Sequence, residues 1–301
     1  MLYEGRKLII VDYSQTIISN LMAELNGQKD VDIEVDLLRH MTINTLRSHY
    51  SKFKEKYGEM VIACDSKKYW RKERFPYYKA NRKKLRAESG YNWNLIFDTI
   101  NLLKQELKDY FPYRVIEVSG AEADDIIASL CKWSQTNQLV QNNLSLEPQP
   151  VLIISGDHDF IQLQKFHNVK QFSPIQKKFV VSDKKHSEVV LEHIIKGDKG
   201  DGIPNILTAD DAFVKGERQK PITSKKLNEW ILDPISMPRD ENFLRNFQRN
   251  KLLTDFSEIP EDIENNIINT FIEYPVKDKA IILDYFIKNK MKNMIDYIED
   301  F

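Results

Sequence analysis

Apolar runs of strand length recur along the chain, and carboxylates follow each of them. Leu8-Ile-Ile-Val leads into Asp12, Met60-Val-Ile-Ala-Cys into Asp65, and Val151-Leu-Ile-Ile-Ser-Gly into Asp157 and Asp159. A fourth run, Tyr113–Val118, is followed by Ser119-Gly-Ala-Glu122-Ala-Asp124-Asp125. Uninterrupted apolar runs predict strands buried on both faces. The stretches between them have helical spacing: Thr16–Leu25, Asp36–Lys54 (with Leu37, Leu38, Met41, Leu46 and Tyr50 as core contacts), Asn94–Leu107, and a segment through Ile126, Ile127, Leu130 and Trp133. Ser134–Pro150, rich in Gln and Asn with two prolines, reads as a surface loop. Val169–Phe172 and Phe179–Val181 are spaced to pair as a hairpin that closes the sheet. Beyond about 182–187 the periodicity is helical almost throughout. The fold class is α/β: a mostly parallel central sheet flanked by helices, followed by a smaller all-helical C-terminal domain.

Parallel neighbours carry their carboxyl ends to one edge, where open α/β sheets bind ligands. That edge would gather Asp12, Asp65, Glu122, Asp124, Asp125, Asp157 and Asp159. Such crowding raises carboxylate pKa values unless cations neutralise it. Hard divalent cations with oxygen ligands, Mg²⁺ or Mn²⁺, meet that need. A plainer reading stands beside this one. Asp157 and Asp159 are also suited to capping the next helix, and Ser119 and Glu122 have capping-box spacing.

Composition sharpens the picture at one place. The chain has 301 residues and a net charge of −1, but Lys67–Arg86 alone carries ten basic residues against one acid, +9, leaving −10 for the remainder. Tyr69, Trp70, Phe75, Tyr77 and Tyr78 are interleaved with those charges. Basic side chains neutralise phosphates and aromatic faces stack on unpaired bases, so the segment reads as a nucleic-acid contact. The two cysteines, Cys64 and Cys131, form no CxxC pair, and Cys64 falls in a predicted strand as a small core residue. Low cysteine use fits a reducing cytoplasm, and no apolar run is long enough to span a membrane.

Between two predicted helices lies Lys196-Gly197-Asp198-Lys199-Gly200-Asp201-Gly202-Ile203-Pro204-Asn205. Such a Gly-rich turn can grip a phosphate backbone through exposed amides. A helix C-cap accounts for Gly197 but gives no reason for both aspartates.

In this order the motifs resemble the 5′-nuclease superfamily of flap endonucleases and polymerase-associated 5′→3′ exonucleases, including its T-even-type phage branch. The matching pieces are Ile-Val-Asp12, Ala-Cys-Asp65, Trp70-Arg71 with Pro76-Tyr-Tyr78-Lys79-Ala-Asn-Arg82, Gly120-Ala-Glu122-Ala-Asp124-Asp125, Ser155-Gly-Asp157-His-Asp159-Phe160 and Gly197-Asp198-Lys-Gly-Asp201. The resemblance implies a resolvase- or PIN-like nuclease domain over 1–185, with a basic helical arch over about 67–93. It implies a helical domain over 186–301 that opens with a helix–hairpin–helix-like unit. It also implies two Mg²⁺ ions, for which Mn²⁺ can substitute: Asp12, Asp65, Glu122, Asp124 and Asp157 for one, and Asp157, Asp159, Asp198 and Asp201 for the other. By the same resemblance Lys79 and Arg82 contact the scissile phosphate and Tyr78 stacks on a base. Arg71, Lys72, Lys83, Lys225 and Lys226 contact nucleic acid, and the hairpin of relatives can hold K⁺. Where relatives continue Asp-Asn-Ile-Pro-Gly-Val, this chain reads Asp201-Gly-Ile-Pro-Asn-Ile and then a longer charged segment.

The implied activity is hydrolysis of RNA or DNA 5′ ends and flaps annealed to DNA, as in primer removal during replication. One ion activates a water and the other stabilises the leaving oxygen. The implied setting is a monomer in the cytoplasm (the host's, for a phage-encoded chain), with DNA, RNA–DNA duplexes and replication-fork proteins as partners and no membrane. Two rival readings are a stand-alone PIN-type ribonuclease, which lacks the basic arch and the helical half, and a non-catalytic branched-DNA binder.

Overall fold

The structure is a computed structural model that describes residues 6–25, 34–137, 139–142, 145–275 and 277–301. The chain groups into two compact units, each assembled from separate stretches. One takes Met1–Lys67, Tyr91–Val180 and Asp262–Phe301, and the other Lys68–Gly90 and Val181–Glu261. Contact therefore groups the chain differently from the order of its motifs.

The first unit holds β1 (Leu8–Asp12), β2 (Glu59–Ala63), β3 (Arg114–Ile116), β4 (Leu139–Asn142), β5 (Ser145–Pro148), β6 (Val151–Ile154), β7 (Val169–Ser173) and β8 (Lys178–Phe179). Its main sheet has the order β3-β2-β1-β6-β7-β8. The strands run parallel from β3 to β7, and β8 closes the edge antiparallel. This is the expected mostly parallel sheet. Leu8–Val11 and Val151–Ile154 are wholly inaccessible, as strands covered on both faces must be. β1 lies between β2 and β6, the point of reversal beyond whose carboxyl end open α/β sheets bind ligands. The register pairs Asp12 with Ala63 and Val11 with Ile154. Asp65 and Asp157 thus follow just past the level of Asp12.

The helices Tyr13–Leu25, Val35–Tyr57, Trp93–Tyr110 and Ala123–Asn137 accompany the sheet. Asn92 caps the third by accepting from the Leu95 N–H at 3.2 Å. In the second, the inward face steps through Leu38, Thr42 and Leu46 at intervals of four, which leaves Leu37, expected in the core, 42% exposed. Ser134–Pro150 is not the plain loop its composition predicts. β4 and β5 pair antiparallel across it, Leu139 opposite Pro148 and Gln141 opposite Leu146.

The last forty residues complete this same unit. Tyr285, Phe286 and Phe301 are buried with Phe111, whose ring lies 5.2 Å from that of Tyr285 and 5.5 Å from that of Phe301. Arg114, at the start of β3, holds the join. Its guanidinium donates to Glu59 at 2.9 Å and to the carbonyls of Phe271 and Tyr274 at 3.1 and 3.0 Å. A buried guanidinium needs every such acceptor, which is why the chain between Phe271 and Tyr274 is fixed here.

The second unit is helical among its described residues, with Trp70–Arg74, Asn81–Ser89, His186–Lys196, Ala212–Lys215, Ser224–Leu232 and Glu241–Thr254. Ile195, Ile206, Trp230 and Phe243 form one apolar cluster, and Phe75, Tyr78, Ile203 and Leu253 another. Asn250, fully buried, donates to the carbonyls of Ile194 and Pro204 at 2.7 and 2.9 Å and ties the helix Glu241–Thr254 to the end of His186–Lys196.

Gly58, which turns the chain from the helix Val35–Tyr57 into β2, has φ +70° and would place a Cβ 2.6 Å from the Lys7 carbonyl oxygen. Gly58→Ala should therefore lower the unfolding free energy by roughly 2 kcal/mol, read as a shift in the urea midpoint at constant slope.

Candidate functional site

Asp12 ends β1 at the centre of the sheet and is 7% exposed. Its Oδ1 accepts the Gln15 N–H at 3.1 Å and its Oδ2 the Ser155 hydroxyl at 3.3 Å. Burial first, then the negative charges of Asp65 and Asp157, push its carboxyl up from the ordinary range to about 7. Its hydrogen bonds to Gln15 and Ser155 only partly offset this. Three of the sequence-predicted carboxylates therefore share one small region at the C-terminal edge of the sheet.

Asp65 links this cluster to the next pair. Its Oδ2 accepts the Ser14 hydroxyl at 2.6 Å and its Oδ1 the Ala123 N–H at 2.9 Å. Ala123 separates Glu122 from Asp124, so Asp65 is bonded to the backbone that carries both acids. Glu122 is 2% exposed and Asp124 is half-buried on the first helical turn. The expected Ser119–Glu122 capping box is not the cap that forms. Instead Asp125, fully buried, accepts the Glu122 N–H at 2.9 Å while its own N–H bonds the Glu122 carbonyl at 3.1 Å. This gives Asp125 a structural task at the start of the helix.

Asp157 serves two ends at once. One oxygen accepts the Asp159 N–H at 2.9 Å, capping the 3-10 helix His158–Lys165, while its charge reaches Asp12. The capping and site readings of this residue hold together. Asp159 follows, partly exposed, in the first turn. Sequence reasoning missed the groups that fix the loop. Gln15 Oε1 accepts from the Gly156 N–H and from the Ser155 hydroxyl. Gln171, 1% exposed on β7, donates to the carbonyls of Ser155 and Asp157 at 3.0 and 2.6 Å. The available signal was a Gln on the same face of the strand as Val169, two positions on.

Asp198 and Asp201 belong to the second unit. Gly197 caps the helix His186–Lys196, its N–H on the His193 carbonyl at 2.8 Å, and a Cβ there would lie 2.3 Å from the Ile203 carbonyl oxygen. Asp198 closes the turn by accepting the Asp201 N–H at 2.9 Å, and His193 Nε2 lies 3.5 Å from its other oxygen. The hydrogen bond from His193 holds the Asp198 carboxyl down at about 2.

The Asp201 carboxylate sits among the basic-segment residues singled out from sequence. It accepts the Tyr78 hydroxyl at 2.9 Å and the Arg82 guanidinium, with Lys79 Nζ at 3.6 Å. Three of the five aromatics of this segment are buried, and Tyr69 and Tyr77 are partly exposed. Trp70, Phe75 and Tyr78 are 5% exposed or less, and Tyr69 meets the Tyr78 ring edge-on at 5.8 Å. Phe75 and Tyr78 anchor the segment against Ile203 and Leu253, because large apolar rings gain more from burial than from water. Tyr78 thus presents a hydroxyl, not a ring face. Arg71, expected to contact nucleic acid, is 3% exposed, with its Nε on the Leu253 carbonyl at 2.9 Å, and its charge lies 4.6 Å over the Trp70 ring. Lys72, Lys83, Lys225 and Lys226 are exposed.

Comparison with known proteins places this arrangement in a class. Residues 7–193 match the 5′-3′ exonuclease N-terminal resolvase-like domain, and residues 186–301 match the C-terminal domain of T4 RNase H. The chain belongs to the 5′-3′ exonuclease family and is a nuclease. More particularly, it is 32% identical over 308 residues to the ribonuclease H of Enterobacteria phage T4, spanning 98% of this chain and 95% of that one. A T5 protein co-crystallised with metal ions shares the fold with TM-score 0.63 at 18% identity, over 89% of this chain and 99% of that one. So does a bacteriophage T5 flap endonuclease variant in a pseudo-enzyme–product complex with DNA and metal ions, with TM-score 0.60 at 19% identity over the same shares.

A carboxyl held near 7 in the folded chain but at 3.8 when unfolded weakens the fold as pH rises from about 4 through 7. Asp12→Asn removes that cost. In EDTA the variant should be more stable than the parent by on the order of 2 kcal/mol at pH 8, and the gap should close towards pH 4, read by thermal melting.

Proposed function

We propose that this nuclease is a metal-dependent 5′ nuclease that hydrolyses phosphodiester bonds of RNA or DNA 5′ ends and flaps annealed to DNA. The observation that carries the reading is the gathering of Asp12, Asp65 and Asp157 beyond β1, with the backbone of Glu122 and Asp124 tied to Asp65. All donors are oxygens and the carboxyl at their centre is raised, which fits hard divalent cations and favours Mg²⁺ with Mn²⁺ as substitute. A pair of such ions, when bound, lowers the pKa of an attacking water and stabilises charge on the leaving 3′-oxygen.

The chain's own groups do the rest. Asp12, Asp65, Glu122, Asp124 and Asp157 supply ligand oxygens, directly or through water, and Asp159 and Asp198 belong to the set the family pattern assigns to the second ion. Ser14, Gln15, Ser155 and Gln171 hold the ligand-bearing loops at fixed spacing. Lys79 and Arg82 bind the phosphate and offset the negative charge that develops on it. Lys72, Lys83, Lys225 and Lys226, all exposed, contact the nucleic-acid backbone without reading sequence. Among the described residues no helix is long and apolar enough to cross a membrane.

A 5′-labelled flap and an RNA–DNA hybrid incubated with Mg²⁺ should both be cut, leaving 5′-phosphates. Asp157→Asn should lower the rate by about a hundredfold or more, with flap affinity in EDTA unchanged or tighter. Degradation of single-stranded RNA with DNA left intact would instead indicate a stand-alone PIN-type ribonuclease. Tight binding with no cleavage would indicate a branched-DNA binder.

A further inference from the structure

The resemblance to known nucleases assigns Asp201 to metal, yet its carboxylate is held by three donors of the basic segment. Tyr78 gives a hydroxyl at 2.9 Å to Oδ2, Arg82 gives its guanidinium to Oδ1, and Lys79 Nζ stands 3.6 Å from Oδ2. The backbone fastens the same two stretches. The Lys79 N–H donates to the Asp201 carbonyl at 2.7 Å, Asn81 Nδ2 to the Lys199 carbonyl at 2.8 Å, and Arg82 Nε to the Gly200 carbonyl at 3.2 Å. Lys79 adopts φ +55° to make its bond, a conformation that costs a non-glycine residue energy. Gly202 admits the approach: a Cβ there would lie 3.0 Å from the Tyr77 carbonyl oxygen.

A hydroxyl, a guanidinium and an ammonium converging on two oxygens of one anion is the donor set that binds a phosphodiester. We propose that Asp201 is a positioning residue. Its carboxylate gathers Tyr78, Lys79 and Arg82 around one point in the place of a substrate phosphate, and it yields that place when the phosphate arrives. The inference rests on the nuclease reading above. It follows that Tyr78 contributes its hydroxyl to the phosphate site. It also follows that the parent protein binds nucleic acid against an internal competitor of like charge. The turn containing Asp201 sets the position of both cations through the same contacts.

The test is equilibrium binding of a fluorescein-labelled 5′-flap DNA to the full chain in EDTA, by anisotropy, across a salt series. Asp201→Asn keeps the shape and the backbone bond but removes the competing charge. It should bind about three- to tenfold tighter, and the slope of log Kd against log salt should steepen by about one phosphate contact. Glu217→Gln, which removes an exposed acid of the same unit, should change Kd by less than about twofold. Unchanged or weaker binding by a natively folded Asp201→Asn overturns the inference, and so does equal tightening by Glu217→Gln. Should the Asn variant not fold, Asp201→Ser is read by the same criteria. Cleavage of the flap by the parent with Mg²⁺ is measured alongside. A parent that cuts nothing overturns the nuclease reading itself, whereas a parent that cuts while Asp201→Asn binds no tighter overturns only the role of Asp201.

Discussion

Mutual repulsion among carboxylates at the carboxyl edge of the sheet is the constraint around which the first unit is built. Asp12 is buried, and Asp65 and Asp157 add their charge to it. A fold selected for stability alone would not place them together, since each unneutralised carboxylate costs free energy there. The surroundings are arranged to tolerate this crowding rather than relieve it. Ser14, Ser155 and the N–H groups of Gln15, Ala123 and Asp159 give each carboxylate one or two donors, enough to fix its direction but not to neutralise its charge. A bound cation would relieve that repulsion.

The opposite charge is handled by a different device. Ten cations in twenty residues would be expected to remain a solvated, mobile stretch. Here Phe75 and Tyr78 pin the segment to Ile203 and Leu253, and Trp70 is buried as well. Arg71 is drawn inside, and the cations at its far end are met by Asp201. The aromatics thus act through packing, and the charges they hold in place act through the field they create. Asp201 gives this unit a carboxylate whose partners are cations, where Asp12 has other carboxylates for neighbours.

The two units also differ in how they treat the ends of the chain. The first draws in the last forty residues, whose Tyr285, Phe286 and Phe301 fill the space beside Phe111 and whose backbone carbonyls satisfy Arg114. A reading by motif passes over this segment because it holds no chemistry. Its contribution is apolar area, which is non-directional and leaves only a helical period in the sequence.

Apolar runs located β1, β2, β3 and β6, and the spacing of 169–172 and 179–181 located β7 and the edge strand β8, which forms at Lys178–Phe179. The same runs placed Asp12, Asp65, Asp157 and the Glu122–Asp125 group at strand ends, and charge segregation marked the basic segment. What the chain alone left open was each side chain's partner. Asp157 can cap and still face Asp12, so no choice between those readings was available from spacing. Tyr78 and Arg71 look like ligands for nucleic acid in a linear view. Only packing shows one ring buried with its hydroxyl on Asp201 and the other cation on a carbonyl 182 positions away. Periodicity is a local property, dictated by the geometry of helix and strand. The assignment of donors to acceptors is decided by which distant segments meet, and that is settled only when the whole core closes.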